Sequence, residues 1–269
     1  MEQDKRTSSL QICSDAWRDW INEAEHEGKG TFIKEHVNWM VRPDVELHFL
    51  HSDHSSHSNQ GERGFNLTCI PDHFLLSNVR PTFLIRHPAL TLPSLIRTAI
   101  DNEGIDALLT SSAENTMRWE ATYYWHTTLY KFYLALSTYP CPSKNPSVTY
   151  PIILVASDLS RPEVVRKYAA VVGLEPDVGR FEWAEASAEG KGGVGAIEAR
   201  MKDTLMRSVG VMREKLEETV NVNCVKEKEA WKNEFGDILG EEDESVGLED
   251  HSQVFFWKSD GVICVSRVD

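Results

Sequence analysis

Three short apolar runs constrain this chain more than any other feature: residues 31–34 (Thr-Phe-Ile-Lys), 82–86 (Thr-Phe-Leu-Ile-Arg) and 152–156 (Ile-Ile-Leu-Val-Ala). Each has strand length, and stretches of helical period separate them, which argues a mainly parallel sheet flanked by helices. The first amphipathic helix covers 8–27, with Leu10, Trp17, Trp20, Ile21 and Ala24 on one face, and Gly28-Lys-Gly30 ends it. A helix follows Pro71, another spans 91–101 with Pro93 in its first turn, and an aromatic helix runs through 113–137. Helix 161–172 stops at Gly173, a charged helix occupies 196–220, and Trp231 and Phe235 lie on a short helix. Residues 42–64 and 185–194 are expected as flexible loops, and 140–151 as a proline-rich one. Near the end, Val254-Phe-Phe-Trp257 and Val262-Ile-Cys-Val265 flank Ser-Asp-Gly, which predicts a β-hairpin over 252–266. No repeat is visible, so a single α/β domain over 1–269 is expected.

Charge limits the partners. With 28 basic and 42 acidic residues the formal charge is −14, which argues against nucleic acid or an anionic membrane. No stretch of 18 apolar residues exists, and the amino terminus does not read as a secretion signal. Five scattered cysteines (13, 69, 141, 224 and 264) without a Cys-x-x-Cys pair read as free thiols in a reducing compartment. The expectation is a cytoplasmic protein. The sequon Asn66-Leu-Thr68 is then incidental.

The chemistry sits at the ends of the runs. In open α/β sheets ligands bind at the carboxyl ends of the strands. The first run delivers Lys34 and His36, a cation and a base, and the second delivers Arg86, with Ser94 eight residues on. Such a set suits an anionic, phosphate-bearing ligand with a proton acceptor beside it. Read from spacing alone, a strand-end surface pair is the better account of Lys34 and His36, a structural ion pair is as good an account of Arg86 as ligand binding, and Ser94 reads as a first-turn helix residue.

Lys34-Glu-His36 after an apolar run resembles the Lys-Thr-His element of sulfotransferases that use 3′-phosphoadenosine 5′-phosphosulfate. Arg86 with Ser94 resembles that family's site for the donor's 3′-phosphate, and Asp158-Leu, Arg161-Pro-Glu and Gly173-Leu174 resemble its recurring strand–helix segment. Residues 31–36 and 70–90 are most similar to a group of fungal sulfotransferase-like P-loop proteins, and the likeness extends over roughly 8–240. The resemblance implies a P-loop NTPase-type fold and sulfuryl transfer to a small-molecule hydroxyl. His36 would be the base, Lys34 the counter-charge, and Arg86 and Ser94 the phosphate ligands.

Members of that family open with a strand and a phosphate-binding loop, and this chain starts after that point, so a sheet truncated at its amino end is expected. The 5′-phosphosulfate loop is absent, and Gly190-Lys-Gly-Gly-Val-Gly195 reads as a flexible connection rather than its replacement. The hairpin, a second copy in a homo-oligomer, or an upstream segment would fill the gap beside the first run. Two other outcomes stay open: a repurposed isomerase- or cyclase-type catalyst in a fungal secondary-metabolite pathway, working without the donor, or a non-catalytic relative.

Three further patterns are weaker. His48, His51, His54 and His57, with Asp53, have metal-ligating types but lie in the expected loop, so no metal is assigned. The aromatics of 117–133 fit a core stripe or an acceptor pocket, with Trp125 and His126 the two to watch. Trp231-Lys-Asn-Glu-Phe235 reads as helix packing.

Overall fold

The computed structural model describes residues 2–51, 64–108, 110–135, 150–184, 206–213, 216 and 222–239. The expected hairpin at 252–266, the glycine-rich loop at 185–194 and most of the 196–220 helix lie outside these residues. Contacts divide the chain into two compact units, 1–81 with 115–151 and 82–114 with 152–269.

In the first unit, helix α1 (Glu2–His26) carries Trp20 on its exposed side, 54% open to solvent, so that ring is not in the buried stripe the spacing predicts. Residues 31–36 form no strand. Phe32 is 64% exposed, and among the described residues no other segment pairs with this backbone. An apolar run becomes a strand only when a partner takes its N–H and C=O groups. Instead, the chain passes His36 into a tight 3₁₀ turn, Val37–Met40, and then helix α2 (Pro43–His51). The first half of the expected 42–64 loop is therefore helical, opened by Pro43 at a position where its missing N–H costs nothing.

An antiparallel bridge between Val41 and Thr68 ties the turn to the segment before helix α3 (Asp72–Asn78). Asn66 organises that segment. Its amide donates to the Ile70 carbonyl (2.6 Å) and Asp72 Oδ1 (2.8 Å), and its Oδ1 accepts from the Thr68 N–H (2.9 Å) and Thr68 Oγ1 (2.7 Å). The sequon's amide is thus occupied as a structural donor.

Two helices replace the single aromatic one. Helix α6 (Ser111–Glu120) stops, and Thr122 Oγ1 accepts from the Tyr124 N–H to start α7 (Tyr124–Ala135). Trp125, Leu129, Phe132 and Tyr133 on α7 are buried with Val41, Phe49, Leu67 and Ile70. Trp125 is wholly buried, packs tilted against Phe49 (4.5 Å between ring centres), and its Nε1 donates to the Trp119 carbonyl (2.8 Å). The aromatic stripe is core.

The second unit holds the sheet. Strands β1 (Thr82–Ile85) and β2 (Ile152–Val155) pair in parallel, with Ile85 opposite Val155. Phe83 points inward and Leu84 outward, so the run reads continuously apolar while only alternate side chains are buried. Helix α4 begins at Pro88 and runs to Glu103, earlier than the predicted 91–101. Proline at its first position and His87 Nδ1, which accepts from the Ala89 N–H (3.1 Å), set that start. Pro93 then lies inside the helix and Ser94 in its second turn, not at its beginning.

The short helix α5 (Ile105–Leu108) packs on α4. After β2, a 3₁₀ turn (Ala156–Ser160) leads to α8 (Pro162–Val172). Asp158 holds this junction by accepting from the Val155 N–H (3.0 Å) and pairing with Arg161. Gly173 closes α8 in the left-handed conformation (φ 83°), with the Leu174 N–H reaching back to the Ala169 carbonyl. Tyr168 on α8 donates to Thr82 Oγ1 (3.2 Å) on β1.

Helix α9 (Cys224–Leu239) lies along α4. Trp231 and Phe235 are buried against Ala89, Leu92, Ile96 and Ile100, which is the helix packing expected of that segment. The described residues therefore make a mixed α/β protein dominated by helices, with a small parallel sheet.

Candidate functional site

Lys34 and His36 come together in the first unit. Their side chains meet at 3.4 Å, Lys34 Nζ to His36 Nε2. Alternation along extended backbone puts residues two apart on one side, so the pair needs no regular strand, only local extension. An ammonium has no lone pair, so it donates, and the imidazole in this contact presents Nε2 as an acceptor. Loss of water around the His36 ring lowers its pKa from 6.5, the Lys34 charge lowers it further, and Glu35 partly offsets both. His36 is thus held as a neutral base, with the Trp39 ring 5.4 Å from its own.

His126 belongs to the same neighbourhood. It sits in the first turn of α7, and α7 packs on the 3₁₀ turn that His36 opens. Burial, and then the His36 charge, push its pKa down to about 4, and among the described residues its buried Nδ1 has no hydrogen-bond partner. Sequence alone marked His126 as worth watching, but only by its place in an aromatic stretch.

Arg86 and Ser94 belong to the second unit. Arg86 follows the last residue of β1 at the carboxyl end of the parallel pair, and Ser94 is exposed in the second turn of α4. The amino end of α4 contributes no spare donors: Pro88 has no N–H, Ala89 donates to His87 Nδ1, and Leu90 and Thr91 donate to the His87 carbonyl. A guanidinium and an open hydroxyl are a donor set that fits a phosphate.

His87 was not singled out by sequence. Its Nε2 lies 4.0 Å from Cys224 Sγ at the start of α9, and burial lowers its pKa against a rise from Glu227. Because its Nδ1 accepts the Ala89 N–H, the ring proton sits on Nε2, and His87 faces the thiol as a donor rather than as a base. His48 and His51 lie on α2, where His51 Nδ1 is 2.7 Å from the Leu47 carbonyl, and His54, His57 and Asp53 fall outside the described residues. Among the described residues no group of three or more His, Cys, Asp or Glu side chains is arranged to hold a metal, and no helix is long and apolar enough to cross a membrane.

The first unit thus carries a lysine-flanked neutral histidine, and the second an arginine at a strand's carboxyl end. Comparison with known proteins identifies the family. The chain is 32% identical over 249 residues to sulfotransferase ppzF of Metarhizium rileyi (strain RCEF 4871), spanning 88% of this chain and 71% of that protein. It is 32% identical over 239 residues to sulfotransferase ppzF of Metarhizium majus (strain ARSEF 297), spanning 85% and 68%. This chain belongs to the family of these fungal sulfotransferases. No family profile and no solved structure matches it.

Proposed function

We propose that this protein transfers a sulfuryl group from 3′-phosphoadenosine 5′-phosphosulfate to a hydroxyl of a small molecule. The observation that carries the reading is the Lys34–His36 contact at 3.4 Å, with His36 held neutral, in a chain related to sulfotransferases. His36 removes the proton from the acceptor hydroxyl as its oxygen attacks sulfur and the sulfur–oxygen bond to the donor's 5′-phosphate breaks, releasing adenosine 3′,5′-bisphosphate. Lys34 turns from His36 Nε2 toward the bridging oxygen and offsets the charge developing there. Arg86, through its fork of donors, and Ser94, through its hydroxyl, hold the 3′-phosphate. The donor, when bound, supplies the activated sulfuryl group; the residues contribute position and charge.

The same residues, used without the donor, would serve an isomerase- or cyclase-type reaction in which His36 shuttles a proton. Calorimetric titration with adenosine 3′,5′-bisphosphate separates the two. Micromolar binding that weakens at least tenfold in Arg86→Ala, with sulfuryl transfer lost in His36→Ala, is the expected result. No heat from the folded wild-type protein would remove the donor and leave the proton-transfer reading.

A further inference from the structure

An imidazole nitrogen buried without a partner is costly. Leaving a buried polar group unsatisfied is destabilising, and native proteins hold few such atoms, each calling for an explanation. His126 Nδ1 is one. Its neighbours on α7 do not share this state: Trp125 Nε1 donates to the Trp119 carbonyl, and the Tyr124 N–H is taken by Thr122. The Tyr123 ring lies 6.2 Å away centre to centre, tilted by 45°, and among the described residues nothing hydrogen-bonds this nitrogen.

The position of this atom gives it meaning. His126 stands in the first turn of α7, and the turn packed on α7 is the one His36 opens. We propose that His126 is an acceptor-binding residue, its Nδ1 forming a hydrogen bond with a polar group of the molecule whose hydroxyl His36 deprotonates. This rests on His36 being the base of the proposed transfer. The site then selects acceptors that carry a neutral polar group beside the reacting hydroxyl, or the hydroxyl oxygen itself, within reach of both rings.

A proton relay is the competing role, and the electrostatics reject it. His126 has its pKa pushed down to about 4 by burial and by the His36 charge, so it does not take the proton that His36 acquires. It stays neutral while His36 works, which suits a neutral ligand group and disfavours a carboxylate. The charged groups on the segment that leads into the packed turn are Lys34 and Glu35, one of each sign. Trp39, on that turn and 55% exposed, offers an apolar face next to His36 for the carbon frame of such a ligand.

Histidine-labelled protein, followed by nitrogen-15 ring signals, tests this with 2-naphthol, tryptophol and cyclohexanol as neutral hydroxyl probes. The expected result is that at least one probe moves both the His36 and the His126 signals. Affinity for it should fall about tenfold in His126→Phe and hold within about threefold in His126→Asn, whose amide reaches the Nδ1 position. His126→Gln, which mimics the other ring nitrogen, should behave like the Phe variant. A probe that moves His36 but leaves His126 unchanged overturns the inference, as does equal weakening in the Asn and Phe variants. Absence of any response from either ring overturns it too. The sulfuryl-transfer reading stands or falls separately, on nucleotide binding at Arg86, which does not involve His126.

Discussion

At the scale of the residue, His36 and His126, both in the first unit, differ more than their sequence contexts do. His36 is flanked by Lys34 and Glu35, and burial lowers its pKa while those two charges act in opposite directions. For His126, burial and then the His36 charge act in the same direction and take it from 6.5 to about 4. Between those values the unfolded chain binds a proton that the folded chain refuses, so folding stability rises with pH across this window. The contribution is fully present above 6.5 and is lost as pH falls toward 4. For His126 alone it is on the order of 3 kcal/mol, from about 1.4 kcal/mol per pKa unit. Urea unfolding at pH 7 and pH 4.5 should show this loss, and His126→Phe should remove most of it. An equal pH dependence in that variant would assign it to other groups, such as His36 and His87, whose pKa values are also lowered.

At the scale of the element, helix α9 shows which interactions hold helices here. Arg97 grips Glu234 with two hydrogen bonds of 2.5 Å, a bidentate geometry, but both side chains are largely exposed (49% and 39%). Exposed pairs contribute about 0–1 kcal/mol, because solvent screens them and two long side chains must be ordered. Phe235, beneath that pair and only 2% exposed, lies in the cluster with Ala89 and Trp231. Truncating such a ring costs about 3–5 kcal/mol. Phe235→Ala should therefore destabilise the protein several times more than Arg97→Ala, read from urea midpoints. The reverse order would mean that the ion pair holds α9 to α4. The Trp231–Phe235 spacing announced this packing in the sequence; the Arg97–Glu234 link, across 137 residues, gave no local signal.

At the scale of the whole molecule, charge sets behaviour. The chain carries −14 at neutral pH and has an isoelectric point near 5.2. Net repulsion disappears near that pH, inside the window where His126 protonation erodes folding. Light scattering should therefore peak close to pH 5 and stay low at pH 7.5. A scattering maximum far from pH 5 would mean that a surface patch, rather than net charge and partial unfolding, drives association. The same charge predicts no retention on duplex DNA at 150 mM salt, checked by gel shift, since about 6–10 phosphate contacts supply most non-specific affinity.

Much of the architecture was legible from periodicity. The runs at 82–85 and 152–155 are strands, and the segment closed by Gly173 is a helix, because continuous apolar stretches and a left-handed cap are local properties of the chain. The sequence also marked Lys34 and His36 as neighbours, since extended backbone brings residues two apart to one side. Other outcomes were decided between segments. Residues 31–36 have strand composition but no strand, because pairing requires a partner that composition cannot reveal. Ser94 moved from a helix start to a second turn because α4, capped by His87, begins at Pro88, three residues before the predicted beginning. The state of His126 was hidden for the same reason: a pKa and an unpaired nitrogen belong to surroundings, and only tertiary packing created those.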